Sequence, residues 1–510
     1  MEDSKDYSTL EIQNVNPSKK HKGGWNAAIF IIFMEFAERF AFIGLGGNLV
    51  SFLTTELHEP VTEAVKNVNT WNGFTAIFYF VGAIIADSYI AVSEGWQKPS
   101  VQTFAADQFD ENTAKERDAR RSFFNWWYLG TAFGSTSSVF IAVYLEDNVG
   151  WGVAFALMTV VFGGGLISIL FGVKRYRKEI PKGSPFSSIA QVFVATFRKL
   201  NVKDTNHNYC YENDLQSHTS LNTDEYRFFH KAMIIDETDA SSKTRNPWRL
   251  CTVTQVEEVK LVIRLIPIWI CCLMFTVIQC QLGTFFTKQG NTMARSIGPH
   301  FQMPPASLQG VVGISIIIII PLYDFYFVPF ARKITGHDAG ITVLQRIGTG
   351  LVLAIINMVI SALVEAKRVG VARDHGLLDK PEAVIPMSIW WMLPQYCVFA
   401  IADSFTIVGL QELFYSQMPE TMRSLGAAAY MSTVGIGGFI TNAIISIVVA
   451  ISSRAGGTWL GNNLNRAHLD YFYLVLAGLG ALNFCAYLWI TKTFVYKKAP
   501  VDETSKELEG

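Results

Sequence analysis

The chain has 510 residues, of which 50% are hydrophobic and 17% are charged, and its formal net charge is −1. This near-neutral balance gives no electrostatic reason to expect a nucleic-acid partner. Apolar residues come in runs of about 20, the length that crosses a bilayer as a helix, so an ordinary soluble fold is excluded. The cysteines show no CxxC spacing and lie mostly in apolar runs, so we expect neither a metal site nor a disulfide.

The predicted elements begin after a polar tail, residues 1–24, that ends in the basic run Lys19-Lys20-His21-Lys22. This run predicts a cytosolic N-terminus, and the apolar segment after it is too long for a cleavable signal peptide. Ten membrane-spanning helices are predicted near residues 25–53, 68–90, 122–145, 151–174, 256–286, 308–331, 340–365, 386–412, 425–453 and 469–492.

A polar stretch divides these spans into two groups. We predict an N-terminal helical bundle over 25–174, a cytosolic linker over 175–252, a C-terminal bundle over 253–496 and a cytosolic tail over 497–510. The stretch opens with Lys174-Arg175-Tyr176-Arg177-Lys178, which favours the cytosol, and an even number of spans after it returns the C-terminus there. Its polar composition predicts a largely irregular segment that buries no apolar core.

One loop disagrees with this topology. Lys367, Arg368 and Arg373 lie on the predicted outer side, where basic residues are usually scarce. The sequence alone offers no physical explanation for these three cations.

The first predicted span contains Glu35, Glu38 and Arg39, although each unpaired charge within lipid costs several kcal/mol. Their spacing of three and four residues puts them on the same helix face, where they can pair. One guanidinium between two carboxylates leaves a net charge of −1, which one proton neutralises, and this pattern indicates a proton-exchanging site. The alternative is a purely stabilising ion pair, which a third charged group makes less suitable.

Two other charged residues allow two interpretations each. Glu412 closes an apolar run after Asp403 and Gln411, so it belongs either to the polar wall of a central cavity or to an interfacial helix end. Lys98 is either a functional cation or half of a surface pair with Glu94, four residues earlier.

The fifth predicted span also carries polar side chains, namely those of Arg264, Gln279 and Gln281. Glutamine in a lipid-embedded helix usually forms hydrogen bonds between helices. An intramembrane enzyme is disfavoured, because no HExxH or GxSxG motif lies within a span.

Several motifs resemble those of the proton-dependent oligopeptide transporter family of the major facilitator superfamily. The run Glu35-Phe-Ala-Glu38-Arg39-Phe40 resembles the ExxERF motif of its first helix. The other similar motifs are Gly82-Ala83 with Ala86-Asp87-Ser88-Tyr89, Lys98-Pro99 with Phe104-Ala-Ala-Asp107-Gln108-Phe109-Asp110, Ser122-Phe-Phe-Asn125-Trp-Trp-Tyr128, Gln411-Glu412-Leu-Phe-Tyr415 and Pro419-Glu420-Thr-Met422-Arg423-Ser424. Together they cover nearly the whole chain, and the FFNWWY and QExFY patterns resemble the plant nitrate and peptide transporter branch.

This resemblance implies an all-α membrane protein of the major facilitator fold, with two helical bundles around a central cavity. It implies symport of a small solute with protons, driven by a proton gradient without any cofactor or enzymatic activity. Nitrate, a di- or tripeptide, a hormone or another small metabolite are the solutes of this branch, and the plasma or vacuolar membrane is the expected location. The expected proton-coupling residues are Glu35, Glu38 and Arg39, and the expected cavity residues are Lys98, Gln279, Gln281 and Glu412.

The chain departs from the family pattern after Tyr89, because Ile90 runs directly into Ala91-Val92-Ser93-Glu94. The family continues there with Gly-Arg, a third helix and the first part of a fourth, so on the order of two ~20-residue spans are missing. Two hypotheses follow: a working carrier, or a truncated and non-transporting isoform. The run Ile278-Gln279-Cys280-Gln281 contains no histidine, which disfavours nitrate binding through a protonated histidine.

Overall fold

The computed structural model describes residues 23–89, 108–109, 114–176, 185–201, 226–236, 239, 246–298, 301–336, 340–419, 423–454, 457 and 459–494. The helices up to the linker are α1 (Trp25–Thr55), α2 (Val61–Tyr89), α3 (Ala114–Asn148) and α4 (Trp151–Gly172), and the linker contains α5 (Pro185–Arg198). The helices after it are α6 (Val253–Gln279), α7 (Phe285–Asn291), α8 (Gln309–Leu322), α9 (Val328–Thr335), α10 (Val343–Asp374), α11 (Leu393–Gln417), α12 (Arg423–Arg454) and α13 (Leu469–Thr493). A π-helical turn, Tyr323–Phe327, joins α8 to α9.

The predicted all-α membrane fold is confirmed, and each predicted span coincides with a long helix or with the joined α8 and α9. Within the described residues, seven helical segments are long and apolar enough to cross a membrane, and they are Trp151–Gly172, Val253–Gln279, Pro305–Thr335, Val343–Asp374, Ile389–Phe414, Ala429–Arg454 and Leu469–Thr493. Helices α1, α2 and α3 are as long but more polar, so the count of ten spans stays a prediction.

Four short strands mark one end of the molecule. β1 (Met293–Ala294) pairs in parallel with β4 (Ile385–Ser388), and β2 (Ser296–Ile297) pairs antiparallel with β3 (Phe301–Gln302). Because α6 starts directly after the linker and ends near β1, the strands lie at the opposite end from the linker. We call these two ends the strand end and the linker end.

The basic loop that disagreed with the predicted topology is explained in part by burial and pairing. Arg368 is 0% exposed and forms two hydrogen bonds with Glu365, at 2.6 and 2.7 Å, and a third with Asn465 at 2.8 Å. Lys367 places its ammonium 3.2 Å from the centre of the Trp391 ring. Since a buried pair with matched hydrogen bonds carries no net charge, Arg368 locks α10 to its neighbours and does not report the side of the membrane. Lys367 and Arg373 remain exposed cations on this side.

The two bundles meet along a seam between α2 and α12. A Cβ added to Gly438 would lie 2.7 Å from the Asn69 carbonyl oxygen, and one added to Gly435 would lie 2.9 Å from the Gly73 carbonyl oxygen. The seam therefore brings backbone against backbone, as small residues allow in membrane helices. Asn442 adds a hydrogen bond from the Asn69 amide, at 3.1 Å.

A second close approach seats α1 against α3 in the N-terminal bundle. A Cβ added to Gly134 of α3 would lie 2.6 Å from the Phe36 carbonyl oxygen and 3.3 Å from the Arg39 Cβ. Only glycine fits this contact. The close packing places the charged part of α1 against α3 and so keeps it away from lipid.

The expectation that the linker buries no apolar core is wrong for its described residues. Helix α5 and a 3₁₀ helix, Arg227–Met233, pack together on the first turns of α6. Their shared buried core consists of Val192, Ala195, Phe229, Ala232, Met233, Cys251, Val253, Val256 and Val259. The few apolar residues of the linker recur at helical spacing, and the base of α6 completes the core that composition alone cannot provide.

Four charged side chains fasten this linker unit. The ammonium of Lys199, 1% exposed, donates hydrogen bonds of 2.5 Å to the Ile234 carbonyl and to Asp239. Arg249 pairs with Asp239 at 3.0 Å and with Asp236 at 2.6 Å. Burial alone would raise the pKa of Asp236, but hydrogen bonds from the Asp239 amide and from Arg249 hold that pKa below its usual value. This contribution to stability is present at neutral pH and is lost as the pH falls through the lowered pKa.

We predict that Gly134→Ala pushes α1 away from α3, because the new methyl group overlaps a backbone oxygen that cannot give way. The expected cost is about 1–3 kcal/mol of stability, measured as a lower melting temperature in detergent. Gly164→Ala in α4 is the matched control, because nothing lies within 4 Å of its added Cβ. Equal melting temperatures for the two variants would contradict the close contact.

A second prediction concerns the buried lysine of the linker unit. Lys199→Met leaves the buried Ile234 carbonyl without its donor and Asp239 with Arg249 as its remaining cation. Amide exchange of 185–201 and 226–236 should therefore rise about 100-fold, as expected for roughly 3 kcal/mol. The control Lys231→Met removes a more exposed ammonium that bonds the Leu200 carbonyl. The role of Lys199 is excluded if both variants exchange at the rate of the unchanged chain.

Candidate functional site

The three charged residues of α1 lie together as their spacing predicts. The Arg39 Nε lies 3.2 Å from Glu35 Oε1 and 3.2 Å from Glu38 Oε2. Glu35 is 5% exposed, whereas about a quarter of the Arg39 and Glu38 side chains reaches open space. One guanidinium is thus shared by two carboxylates, one enclosed and one accessible, and the cluster carries a charge of −1 when both are ionised.

The triad faces the C-terminal bundle through Tyr430 of α12. The Tyr430 hydroxyl hydrogen-bonds with the Gln411 side chain of α11 and lies within electrostatic range of both Arg39 and Asp403. Tyr430 therefore connects the two bundles at the level of the triad. Tyr430 was not among the predicted site residues, because a tyrosine in an apolar run carries no charge signal. Its place six residues after the Pro419-to-Ser424 motif was the available clue.

Asp403 of α11 adds a further carboxyl group to this region. Its Oδ1 is buried and accepts no hydrogen bond from the described residues. A buried carboxylate without a partner is costly, so this group is a candidate to carry a proton. The site therefore has titratable groups on both bundles.

Glu412 lies on α11 but pairs with a residue that the sequence analysis did not select. Its Oε2 is 3.2 Å from Arg346 of α10, and the Arg346 guanidinium stacks 4.6 Å from the centre of the Tyr323 ring. Almost half of the Glu412 side chain remains exposed, so its outer oxygen can still meet a solute. Arg346 sets the charge of this region and belongs with the candidate site residues.

The other predicted cavity residues are spread along the molecule. Gln281 is fully buried in the break between α6 and α7 and donates a 2.9 Å hydrogen bond to the Val277 carbonyl. Gln279 ends α6, and its Oε1 is buried with no hydrogen-bond partner among the described residues. Both lie near the strand end, whereas Glu412 lies five residues before the other end of α11. Lys98 falls outside the described residues.

A polar cluster joins the bundles at the strand end. Asn48 of α1 donates hydrogen bonds to Glu146 at 3.1 Å and to Asp147 at 2.9 Å, both on α3. The other oxygen of Asp147 lies 3.6 Å from Arg295, which follows β1. We call Asn48, Glu146, Asp147 and Arg295 the strand-end latch, because they tie the N-terminal bundle to a loop of the C-terminal one.

Further contacts reinforce this closure beside the latch. Lys288 of α7 donates a 2.8 Å hydrogen bond to Thr54 of α1, and Asn291 donates one of 3.2 Å to Ser51. Gln309 of α8 donates one of 2.8 Å to the Gly47 carbonyl. The strand end is therefore closed by direct contacts between the bundles. Among the described residues, no group of three or more His, Cys, Asp or Glu is placed to hold a metal ion.

Solved structures share this fold. The crystal structure of an auto inhibited POT family peptide transporter has a TM-score of 0.67 at 17% sequence identity, over 93% of this chain and 99% of that one. The POT family transporter PepTSo has a TM-score of 0.65 at 17% identity, over 92% and 98%. These likenesses establish a fold of two helical bundles of the major facilitator type.

Relatives at higher identity cover almost the whole chain. The protein NRT1/PTR FAMILY 5.4 of Arabidopsis thaliana is 48% identical over 547 residues, covering 96% of this chain and 98% of the relative. NRT1/PTR FAMILY 5.10 of the same plant is 38% identical over 548 residues, covering 96% of each. Since 547 exceeds the 510 residues of this chain by 37, at least that many positions of the first relative have no counterpart here, as a missing segment predicts.

The family model described as PTR2, POT family, matches residues 47–460, which is most of the chain. This match includes the motif around Glu412, and the 48% identical relative and the shared fold agree with it. The chain belongs to the POT family of membrane transporters.

Proposed function

We infer that the chain is a secondary transporter that moves a small solute together with protons. The observation that carries this function is the cluster of Glu35, Glu38 and Arg39 on a membrane helix. In it, the Arg39 guanidinium is shared by one enclosed carboxylate and one accessible carboxylate. An ion pair that only stabilised the fold would not need a second acid, whereas a carrier needs a group that binds and releases a proton in each cycle.

Protonation of either glutamate changes the charge of the triad from −1 to 0. Arg39 then loses one of its two anionic partners and becomes available to Tyr430 and to an anionic group of the solute. Because the same guanidinium lies within electrostatic range of Tyr430 in the other bundle, a change of its partners alters the balance between two arrangements of the bundles. The proton gradient supplies the energy, and we propose no cofactor.

We propose that the strand end faces outside and that the linker and both termini lie in the cytosol. Lys19 to Lys22 and the basic start of the linker support this orientation. The direct contacts of the strand-end latch then describe a carrier closed to the outside. Rocking of one bundle against the other would break this latch and open the outer side, as in alternating access. The membrane is the plasma membrane or the vacuolar membrane.

The solute is proposed from chemistry and from the relatives. Solved POT family structures include one in complex with 5-aminolevulinic acid and one in complex with a thioalcohol conjugated peptide, both small solutes. Arg39, Arg346 and Glu412 offer both signs of charge to such a solute, and we propose that they and Tyr430 line its cavity. Lys98, Gln279 and Gln281 remain candidates for further contacts. Nitrate, peptides, hormones and other metabolites stay in the solute class.

The alternative, a truncated and non-transporting isoform, is less well supported. The 48% identical relative aligns over 96% of this chain, so both bundles, the triad and the latch lie in shared sequence. The missing segment expected after Tyr89 would affect only part of the N-terminal bundle. The hypothesis of a working carrier therefore accounts for more of the sequence than the hypothesis of a truncated isoform does.

Glu38→Gln should abolish proton-driven transport, because the triad then holds no accessible carboxylate to protonate. In cells with clamped pH, uptake should fall at least about tenfold and lose its response to an imposed pH gradient, as expected for loss of a proton-binding carboxylate. A panel of nitrate, dipeptides and amino acids serves as solute.

The matched control is Glu63→Gln, an exposed glutamate in the first turn of α2. It should leave uptake and its pH profile unchanged at equal surface expression. Unaltered pH dependence in Glu38→Gln would remove the coupling role, and absence of any uptake by the parent chain across the panel would count against the transporter itself.

Asp147→Asn should weaken the strand-end latch, because the amide keeps a hydrogen-bond acceptor for Asn48 but loses the ion pair with Arg295. A cysteine placed at the buried Val50 reports opening, through its rate of labelling by an impermeant maleimide added outside. Loss of about 1 kcal/mol should speed labelling roughly fivefold.

Asp379→Asn is the control for this experiment, because it removes an ion pair with Arg466 in which both side chains are mostly exposed. It should not alter the labelling rate. Identical rates for Asp147→Asn and the parent would mean that the latch does not hold the strand end closed, and labelling only from the inside would reverse the proposed orientation.

A further inference from the structure

Helix α5 has two apolar faces, and only one of them is used by the linker core. Val192 and Ala195 are 0% exposed and pack against Phe229 and its neighbours. On another face, Phe193, Phe197 and Leu200 follow one another at the i, i+4 and i+7 spacing of a helical stripe. These side chains are 36%, 67% and 49% exposed.

Two neighbouring residues extend this exposed stripe. Phe228 is 51% exposed and Trp248 is 43% exposed, and both lie in segments that pack on α5. Arg198 donates a 3.4 Å hydrogen bond to the Trp248 carbonyl, and Lys231 bonds the Leu200 carbonyl. We call Phe193, Phe197, Leu200, Phe228 and Trp248 the linker stripe. Surface apolar residues usually occur singly, so five large exposed apolar side chains on one small unit indicate a partner.

The charge around the stripe is positive. The described residues from 185 to 252 carry five Lys or Arg and two Asp, a balance of +3. Both aspartates are neutralised by Lys199 and Arg249, so the excess comes from the cations beside the stripe, Arg198 among them. Aromatic side chains interleaved with cations are the composition that binds the interface of an anionic membrane.

The place of the stripe fits the same partner. The linker unit packs on the first turns of α6 and contacts α2, at the end of the bundle where the spans leave the hydrocarbon. We propose that the linker stripe docks on the headgroup region of an anionic bilayer leaflet, with its rings in the interface and its cations on lipid phosphates. Under the proposed orientation this leaflet is the cytosolic one; the docking itself does not depend on transport.

The test uses the purified full chain in nanodiscs that hold one copy each, made of phosphatidylcholine alone or with about 30% phosphatidylserine. Amide exchange of residues 185–201 and 226–236 should be at least about fivefold slower in the anionic nanodiscs, and high salt should remove the difference. The double variant Phe197→Ser with Phe228→Ser, and Arg198→Glu, should each abolish it.

Arg466→Glu, at an exposed arginine near the strand end, is the control and should keep the full lipid effect. Amide exchange of residues 192–196 is also measured in detergent for each variant and for the parent chain. Equal rates show that the variants still form the linker core. Equal exchange in the two lipids would overturn the proposal. Exchange in detergent as slow as in the anionic nanodiscs would also overturn the proposal. The cover of the stripe would then be protein, either another part of this chain or another protein surface, and not lipid. Uptake is not measured, so either result leaves the transporter function untouched.

Discussion

The structure depends on keeping three charges inside a membrane helix. Glu35, Glu38 and Arg39 can stay there only if they pair with one another and are enclosed by protein, because lipid offers no compensation. The glycine at 134 brings α3 against this part of α1 and provides the enclosure. Tyr430 then completes the surroundings from the other bundle. The charges that make the helix costly thus also give the two bundles a common point of contact.

Spacing along the chain predicted the side-chain contacts that form within one helix. It did not predict contacts whose partners come from distant segments. The triad follows from residues three and four apart, so its geometry was predictable. Arg368 looked like an exposed outer cation, yet its partners include Asn465, nearly a hundred residues away. Arg346 was not selected, because its partner Glu412 lies on another helix. In each case the missing information was which helices pack together.

The linker shows the same limit in another form. Its composition is too polar to bury a core by itself, and that inference was sound for an isolated segment. However, the base of α6 supplies Val253, Val256 and Val259, so the core belongs to two regions that were treated separately. A buried lysine, Lys199, then acquires partners from residues 35 and 40 positions further along the chain. Composition describes a segment, whereas burial depends on what it packs against.

The seam between α2 and α12 has a mechanical consequence. At Gly435 and Gly438 the backbones of the two helices approach closely, and the Phe439 ring of α12 packs onto Gly73 and against Phe74 of α2. Helices in such close contact have little room to slide or separate, so we expect the seam to stay closed while the charged contacts at the strand end break and form again. The seam would then be the pivot about which one bundle rotates against the other. A bulky residue at either glycine would push the two helices apart and displace this pivot.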